Sequence, residues 1–190
     1  TTTELNQVAE EMILKREGNP AFKGYQGFPA SLCASVNDEI VHGIPNDRPL
    51  QDGDIVGLDV GVCYKGFYGD SAWTFPVGEI SKESEKLLNV TRESLYRGIQ
   101  HVSVGNRISD ISHAIQEFVE DNGFSVVREF VGHGIGKSLH EEPQVPNYGE
   151  PGRGPRLVEG MVLAIEPMVN SKGPGVKVLD DKWTAVTADG

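Results

Sequence analysis

Apolar and polar positions change period several times along the chain, and each change predicts an element. In TTELNQVAEEMIL, residues 2–14, Leu5, Val8, Met12 and Ile13 recur at helical spacing after a threonine cap, and Gly18 and Pro20 close the pattern. From Ile55 the period drops to two. Ile55, Gly57, Asp59 and Gly61 then share one face, and Val56, Leu58, Val60 and Val62 share the other. FYGDSAW, residues 67–73, runs back with Tyr68, Asp70 and Ala72 together. A turn on Tyr64-Lys65 or Lys65-Gly66 makes an even loop, so Asp59 and Asp70 emerge on the same face, directly opposed or one diagonal apart. The helical period returns in SKESEKLLNVTRESLYRGIQHV, capped by Ser81, with Leu87, Leu88, Leu95, Ile99 and Val102 as its apolar face. It returns again in ISDISHAIQEFVEDNG from Ile108. PNYGEPGRGPR, residues 146–156, reads as a loop, MVLAIEPM as an apolar strand carrying Glu166, and DKWTAVT as a strand.

Parts of this pattern occur twice. Ser109, Asp110, Ile111, Ala114, Ile115, Phe118 and Val119 align with Thr3, Glu4, Leu5, Val8, Ala9, Met12 and Ile13. His42-Gly-Ile-Pro45 is echoed by His140-Glu-Glu-Pro143, and LQDGDIVGLDV (50–60) by LVEGMVLAIEP (157–167), which sets Asp59 opposite Glu166. Three echoes in one order predict an internally duplicated fold: a single domain over 1–190 with two pseudo-symmetric halves, about 1–80 and 105–190. A site at their junction would draw carboxylates from both.

Composition narrows the function classes. The 190 residues, 38% hydrophobic and 24% charged, suffice for one domain with a sizeable core. A net charge of −11 argues against nucleic acid or an anionic membrane as partner. Two cysteines, Cys33 and Cys63, without a CxxC pair suggest neither a disulfide framework nor a cysteine zinc site, and point to a reducing, cytoplasmic setting. No apolar run approaches a membrane span, and the start has no signal pattern. Residue 1 is threonine and both ends fall inside apparent secondary-structure patterns, which predicts a piece of a longer product.

The acidic residues in strands carry the chemistry. A lone strand aspartate commonly caps a turn or meets an arginine, but a same-face pair repels unless a cation lies between. Glu166 adds a third carboxylate, and GHGIGKSLH supplies His133 and His140, with glycines beside His133 that permit close backbone approach. Asp59, Asp70, His133 and Glu166 form an oxygen-rich set with one imidazole, suited to Mn, Fe, Co or Zn in a hydrolytic pair. Two such ions, about 3.5–4 Å apart, polarise a carbonyl and activate water. The inference is metal-assisted hydrolysis.

The motifs His42-Gly-Ile-Pro45, Leu58-Asp59-Val60, Gly69-Asp70-Ser71, Gly132-His133-Gly134-Ile135-Gly136, His140-Glu141-Glu142-Pro143 and Ala164-Ile165-Glu166-Pro167 resemble, in order and almost end to end, those of the type I methionine aminopeptidases. The resemblance implies an α+β pita-bread (creatinase/aminopeptidase-like) fold with an antiparallel sheet flanked by helices. It implies two divalent metal ions on Asp59, Asp70, His133 and Glu166, with Asp70 bridging and Asp59 serving mainly the second. Glu166 is then also the general base, and His42 and His140 bind substrate and stabilise the transition state. The implied substrate is the initiator methionine of nascent polypeptides with a small second residue. The implied state is a cytoplasmic monomer, with ribosome contact left open.

The same resemblance maps a methionine pocket onto Tyr25, Phe28, Cys33, Leu139 and Trp183, with His42 at its mouth; by their residue types alone, Tyr25, Phe28 and Cys33 could equally be core. Leu139 and Phe22 depart from the phenylalanine and cysteine frequent in the family. The family's fifth ligand, a glutamate on the strand expected after Ala188-Asp189-Gly190, is not among these residues, and the start is short of the family's first helix. Two other readings keep the fold: an X-Pro peptidase like prolidases and aminopeptidase P, and a pita-bread module that binds peptides without cleaving them.

Overall fold

Helix α1 (Thr2–Lys15) starts where the sequence supplies a capping box. Thr1 Oγ1 accepts the Glu4 N–H at 3.2 Å, and the Glu4 carboxylate accepts from the Thr1 ammonium and hydroxyl at 2.8 and 2.7 Å. In the computed structural model, which describes residues 1–190, the elements that follow are β1 (Asn19–Pro20), β2 (Leu32–Val36), β3 (Glu39–Val41), β4 (Ile55–Tyr64), β5 (Phe67–Pro76), α2 (Lys82–Gln100) and α3 (Ile108–Asp121). The remainder is short strands: β6 (Ser125–Val126), β7 (Gly132–Gly134), β8 (Glu141–Val145), β9 (Leu163–Ala164), β10 (Val169–Asn170), β11 (Val176–Val178) and β12 (Ala185–Thr187). No helix is long and apolar enough to cross a membrane.

All strand pairs are antiparallel. The expected sheet is divided into four: β1, β2 and β5 around β4; β8-β7-β9; β11-β12-β3; and β10-β6. The largest piece is the β4–β5 hairpin, paired without a break from Ile55↔Pro76 to Tyr64↔Phe67. Its two-residue turn is Lys65-Gly66, with φ 50 and 82, the left-handed pair that matches the twist of a hairpin. Asp54 and Asn37 secure its start: Asn37 Nδ2 and the Gln51 N–H donate to the Asp54 carboxylate at 2.8 and 2.9 Å, and the Ile55 N–H donates to Asn37 Oδ1 at 3.0 Å.

The principal core lies between α2, α3 and the second-half strands, where Val90, Ile111, Ile115, Val119, Val126 and Val145 are buried together. Here α2 departs from expectation. The face against α3 is Val90, Ser94 and Gly98, not the full leucine stripe. A methyl on Gly98 would lie 2.8 Å from Ile115 Cδ1, so these small residues let the helices approach closely. Leu88, Leu95, Ile99 and Val102 instead line an open groove of about 1680 Å³ that also reaches Asp59, Asp70, Trp73 and Glu166.

Other expectations are corrected for local reasons. On α1 only Ile13 of the apolar set is buried; Val8 and Met12 are 53% and 49% exposed, because the helix docks through polar groups. Asn6 Oδ1 accepts the Ser31 and Leu32 N–H groups at 2.9 and 3.1 Å, and Glu10 accepts the Ser31 hydroxyl at 2.7 Å. In DKWTAVT only Ala185–Thr187 is strand, since Asp181 folds 181–184 into a turn by accepting the Trp183 and Thr184 N–H groups, both at 2.9 Å. The strand before Glu166 stops at Ala164, and Pro167 has no N–H to extend a ladder past the glutamate.

Candidate active site

The hairpin register puts Asp70 opposite Gly61 and Asp59 opposite Ala72, so the two aspartates stand one diagonal apart on one face. On the far side of β4, Asp59 pairs with Cys33. His133 arrives from β7, whose neighbours are Gln144 of β8 and Ala164 of β9. Its flanking glycines are sterically required: a methyl on Gly134 would lie 2.8 Å from the Glu142 carbonyl carbon, and one on Gly132 would lie 3.2 Å from the Val145 oxygen. The two parts of the chain are joined beside these groups by the Tyr68 N–H, which donates to the Gly136 carbonyl at 2.8 Å.

Three carboxylates and one imidazole therefore converge. His133 Nε2 lies 3.7 Å from Asp70 Oδ2 and 3.3 Å from Glu166 Oε1. With Nδ1 2.8 Å from the Gly134 carbonyl oxygen, the Nδ1–H donates there and leaves the Nε2 lone pair facing the acids. Asp59 Oδ1 and Glu166 Oε1 are buried without a hydrogen-bond donor. Leaving such oxygens unpartnered is costly, and a cation among them would remove the cost. The oxygen-rich donor set with a single nitrogen fits a borderline divalent metal, so these four residues could hold one.

An apolar cluster borders the acids. Phe22, Phe28, Ala30, Cys33, Ile135 and Leu139 are buried together, with Tyr25, Ile44, Tyr68 and Trp183 against them. All five residues assigned to the methionine pocket thus lie in one cluster, and Phe22 is in it as well. Trp183 stands edge-on to Phe28, with ring centroids 5.1 Å apart, and His42 is edge-on to Trp183 at 6.4 Å. The His140 ring is 4.2 Å from that of His133, and the Tyr25 hydroxyl is 2.8 Å from His140 Nδ1.

Comparison with known proteins decides what this arrangement belongs to. Residues 1–184 match metallopeptidase family M24. The chain belongs to that family. A methionine aminopeptidase of Clostridium perfringens is 61% identical over 100% of this chain and 76% of its own length. The crystal structure of a Thermotoga maritima methionine aminopeptidase superposes with a TM-score of 0.98 at 49% identity, covering 100% of this chain and 76% of that one. A prolidase from Pyrococcus furiosus, 23% identical with a TM-score of 0.73 over 97% of this chain and 50% of its own, shares the fold alone. The expected α+β pita-bread class stands, and membership of M24 brings a divalent metal cofactor with it.

Electrostatics in this metallopeptidase follow from burying like charges together. Burial first, then Asp70 and Glu166, raises the Asp59 carboxyl well above the ordinary range. Burial and Asp70 raise Glu166 to about 7 against the opposing pull of His133. Burial alone would lower His133, but Asp70, the Gly134 carbonyl and Glu166 outweigh it and hold the imidazole raised. His42 and His140 move the other way, lowered by desolvation in the cleft and by a histidine neighbour, His140 and His133 respectively. Both rings are therefore neutral at pH 7. Burial, with Asp59 and Asp70, pushes the Cys33 thiol up, so it behaves as an apolar wall and not as a nucleophile.

Sequence reasoning missed several neighbours. Phe130 packs edge-on against His42 with centroids 5.2 Å apart, and Ala30, Ile44 and Tyr68 complete the apolar cluster. Ile44 and Ile135 lay inside motifs and Tyr68 shared the face of Asp70, but being apolar or aromatic did not mark any of them, or Phe130 and Ala30, as part of the site. His42 has φ 59, a left-handed conformation costly for a non-glycine residue and concentrated at functional positions.

Proposed function

We propose that this chain removes the N-terminal methionine from nascent polypeptides whose second residue is small, by metal-assisted hydrolysis in the cytoplasm. Asp59, Asp70, His133 and Glu166 hold two divalent ions, drawn from Co, Mn, Fe or Zn. The observation that carries the reading is the convergence of those four side chains beside an apolar, aromatic-rich cluster that includes Cys33 and suits a thioether. Bound divalent ions supply charge that polarises a carbonyl and makes water nucleophilic near neutral pH. Glu166 takes the proton of the attacking water as general base. Tyr25, donating to His140 Nδ1, leaves the proton on Nε2, where neutral His140 donates to the substrate carbonyl. His42 binds at the mouth of the pocket, held by Phe130 and Trp183. Tyr25, Phe28, Cys33, Leu139 and Trp183 form the methionine wall.

The same proposal covers domain organisation: one catalytic domain of two pseudo-symmetric halves, about 1–80 and 105–190. In support, α1 and α3 are both 14 residues long with an acid at the third helical position bonding back to the cap. Gly53 and Gly160, each six residues before Asp59 and Glu166 respectively, both have positive φ, 97 and 86.

The test is to measure bound Mn²⁺ or Co²⁺ and methionine release from a Met-Ala peptide for Asp70→Asn and His133→Ala. Metal and rate should fall together, and the unmutated protein should leave an Ala-Pro peptide intact. Loss of metal with activity retained, or faster cleavage of the X-Pro peptide, would overturn the proposal.

A further inference from the structure

Asn147 has no role in the site as described, yet its surroundings demand an explanation. It is fully buried, 0% exposed, in the loop just after β8. Its Nδ2 donates to the main-chain oxygen of Glu166 at 3.0 Å, nineteen residues on, while its Oδ1 is buried with no partner. A buried amide with half its capacity unmet is a poor choice for packing alone, since an apolar side chain of similar volume would avoid that desolvation cost.

The backbone at Glu166 explains what the amide does. β9 ends at Ala164, and Pro167 carries no N–H, so the β-ladder does not extend to the residue that bears the carboxylate. Asn147 leads off β8, and β8 is paired to β7 through Gln144↔His133. The Asn147 amide thus ties the Glu166 main chain to the strand pair that carries His133. We propose that Asn147 is a positioning residue that fixes the Glu166 carboxylate against His133 and Asp70. This rests on the reading of Glu166 as metal ligand and general base. Partners that orient ligands in this way commonly change metal affinity or rate 10- to 100-fold when removed.

The experiment compares Asn147→Leu, which keeps the branched outline of the side chain and removes the donor, with Val119→Ala, a truncation in the α2–α3 core. Melting temperature, Mn²⁺ affinity by titration calorimetry, and kcat and KM for a Met-Ala peptide are measured on the intact protein. Asn147→Leu should weaken Mn²⁺ binding and lower kcat, each by about 10- to 100-fold, with KM within about twofold. Val119→Ala should lower the melting temperature while leaving both within about threefold. Asn147→Ala, which removes the donor without adding bulk, repeats the measurement should the leucine variant not fold. The proposal is overturned if Mn²⁺ affinity and kcat stay within about threefold in the Asn147 variants, or if Val119→Ala reproduces their loss. Glu166→Gln is run alongside: unchanged metal binding and kcat there would overturn the role of Glu166 itself, whereas a loss there with Asn147→Leu unaffected overturns only the positioning role.

Discussion

Gly61→Ala probes how closely the acidic hairpin is fitted to the apolar cluster. Gly61 is buried opposite Asp70 on the hairpin. A methyl there would stand 2.8 Å from Phe22 Cδ1 and 3.0 Å from Cζ, and closer still to Cε1. For an ordinary contact the ring must retreat by roughly 1 Å at its nearest atom. Phe22 is only 8% exposed and packed among Phe28, Cys33 and Leu139, so it has no free space to move into. Overpacking of this kind costs about 1–3 kcal/mol. If the ring is the obstacle, Phe22→Leu should relieve it, with a coupling of about 1 kcal/mol or more between the two positions. Urea denaturation of the parent, both single variants and the double variant measures this, provided the slopes agree. Because the displaced ring moves within the proposed methionine wall, KM should rise severalfold while kcat changes less. A Gly61→Ala protein within about 0.5 kcal/mol of the parent, or one whose loss is the same in the Phe22→Leu background, would refute the argument.

Other outcomes follow from the same packing and charge. Asn37 and the Gln51 N–H hold the Asp54 carboxyl below the usual carboxylate range, so its folded pKa lies below its unfolded one and its stabilisation is present above about pH 4. Asp54→Ala should therefore cost about 2 kcal/mol at pH 7, a difference that shrinks as pH falls through the folded value; thermal melts at pH 7 and 3 giving equal losses would contradict this. Gly98→Leu should destabilise by about 1–3 kcal/mol by forcing α2 from α3, whereas Leu95→Ala, on the open groove, should cost less; urea midpoints rank the two. Tyr25→Phe removes the hydroxyl at His140 Nδ1 and should lower kcat about tenfold with little loss of stability, read by steady-state kinetics beside a thermal melt. Chelation should abolish methionine release and lower the melting temperature, and added Mn²⁺ or Co²⁺ should restore both.

Much of the site was legible because local chemistry set it. The alternation around Asp59 and Asp70, with an even loop between them, admitted only registers that put both carboxylates on one face, and Lys65-Gly66 selected the diagonal one. A threonine cap before the first helix and Ser81 before α2 marked helix starts in the sequence because caps are satisfied within one turn, while the structure puts the first cap on Thr1 with Glu4 as its partner. The repeated acid in LQDGDIVGLDV and LVEGMVLAIEP pointed to Glu166 before any fold was known. His133 was marked by its glycines, which the backbone of β8 and the Ala164 carbonyl leave no room to replace.

What local pattern could not decide was which surfaces meet. The leucine stripe of α2 predicts a buried face, but the contact with α3 is made where Ser94 and Gly98 allow it, and Leu95, Ile99 and Val102 are left on the groove. Helical period reports which side chains share a face, not which face finds a partner. Glu166 sits two residues beyond its strand, which ends at Ala164, and Asn147, invisible as a lone polar residue in a Gly/Pro-rich loop, takes its main-chain carbonyl. The acids, the imidazoles, the caps and the hairpin could be read from local pattern, since they depend on neighbours within a few residues. How near they lie to one another and to Asn147, Phe130 and Ile44 could not, because those contacts join segments far apart in the chain that packing alone brings together.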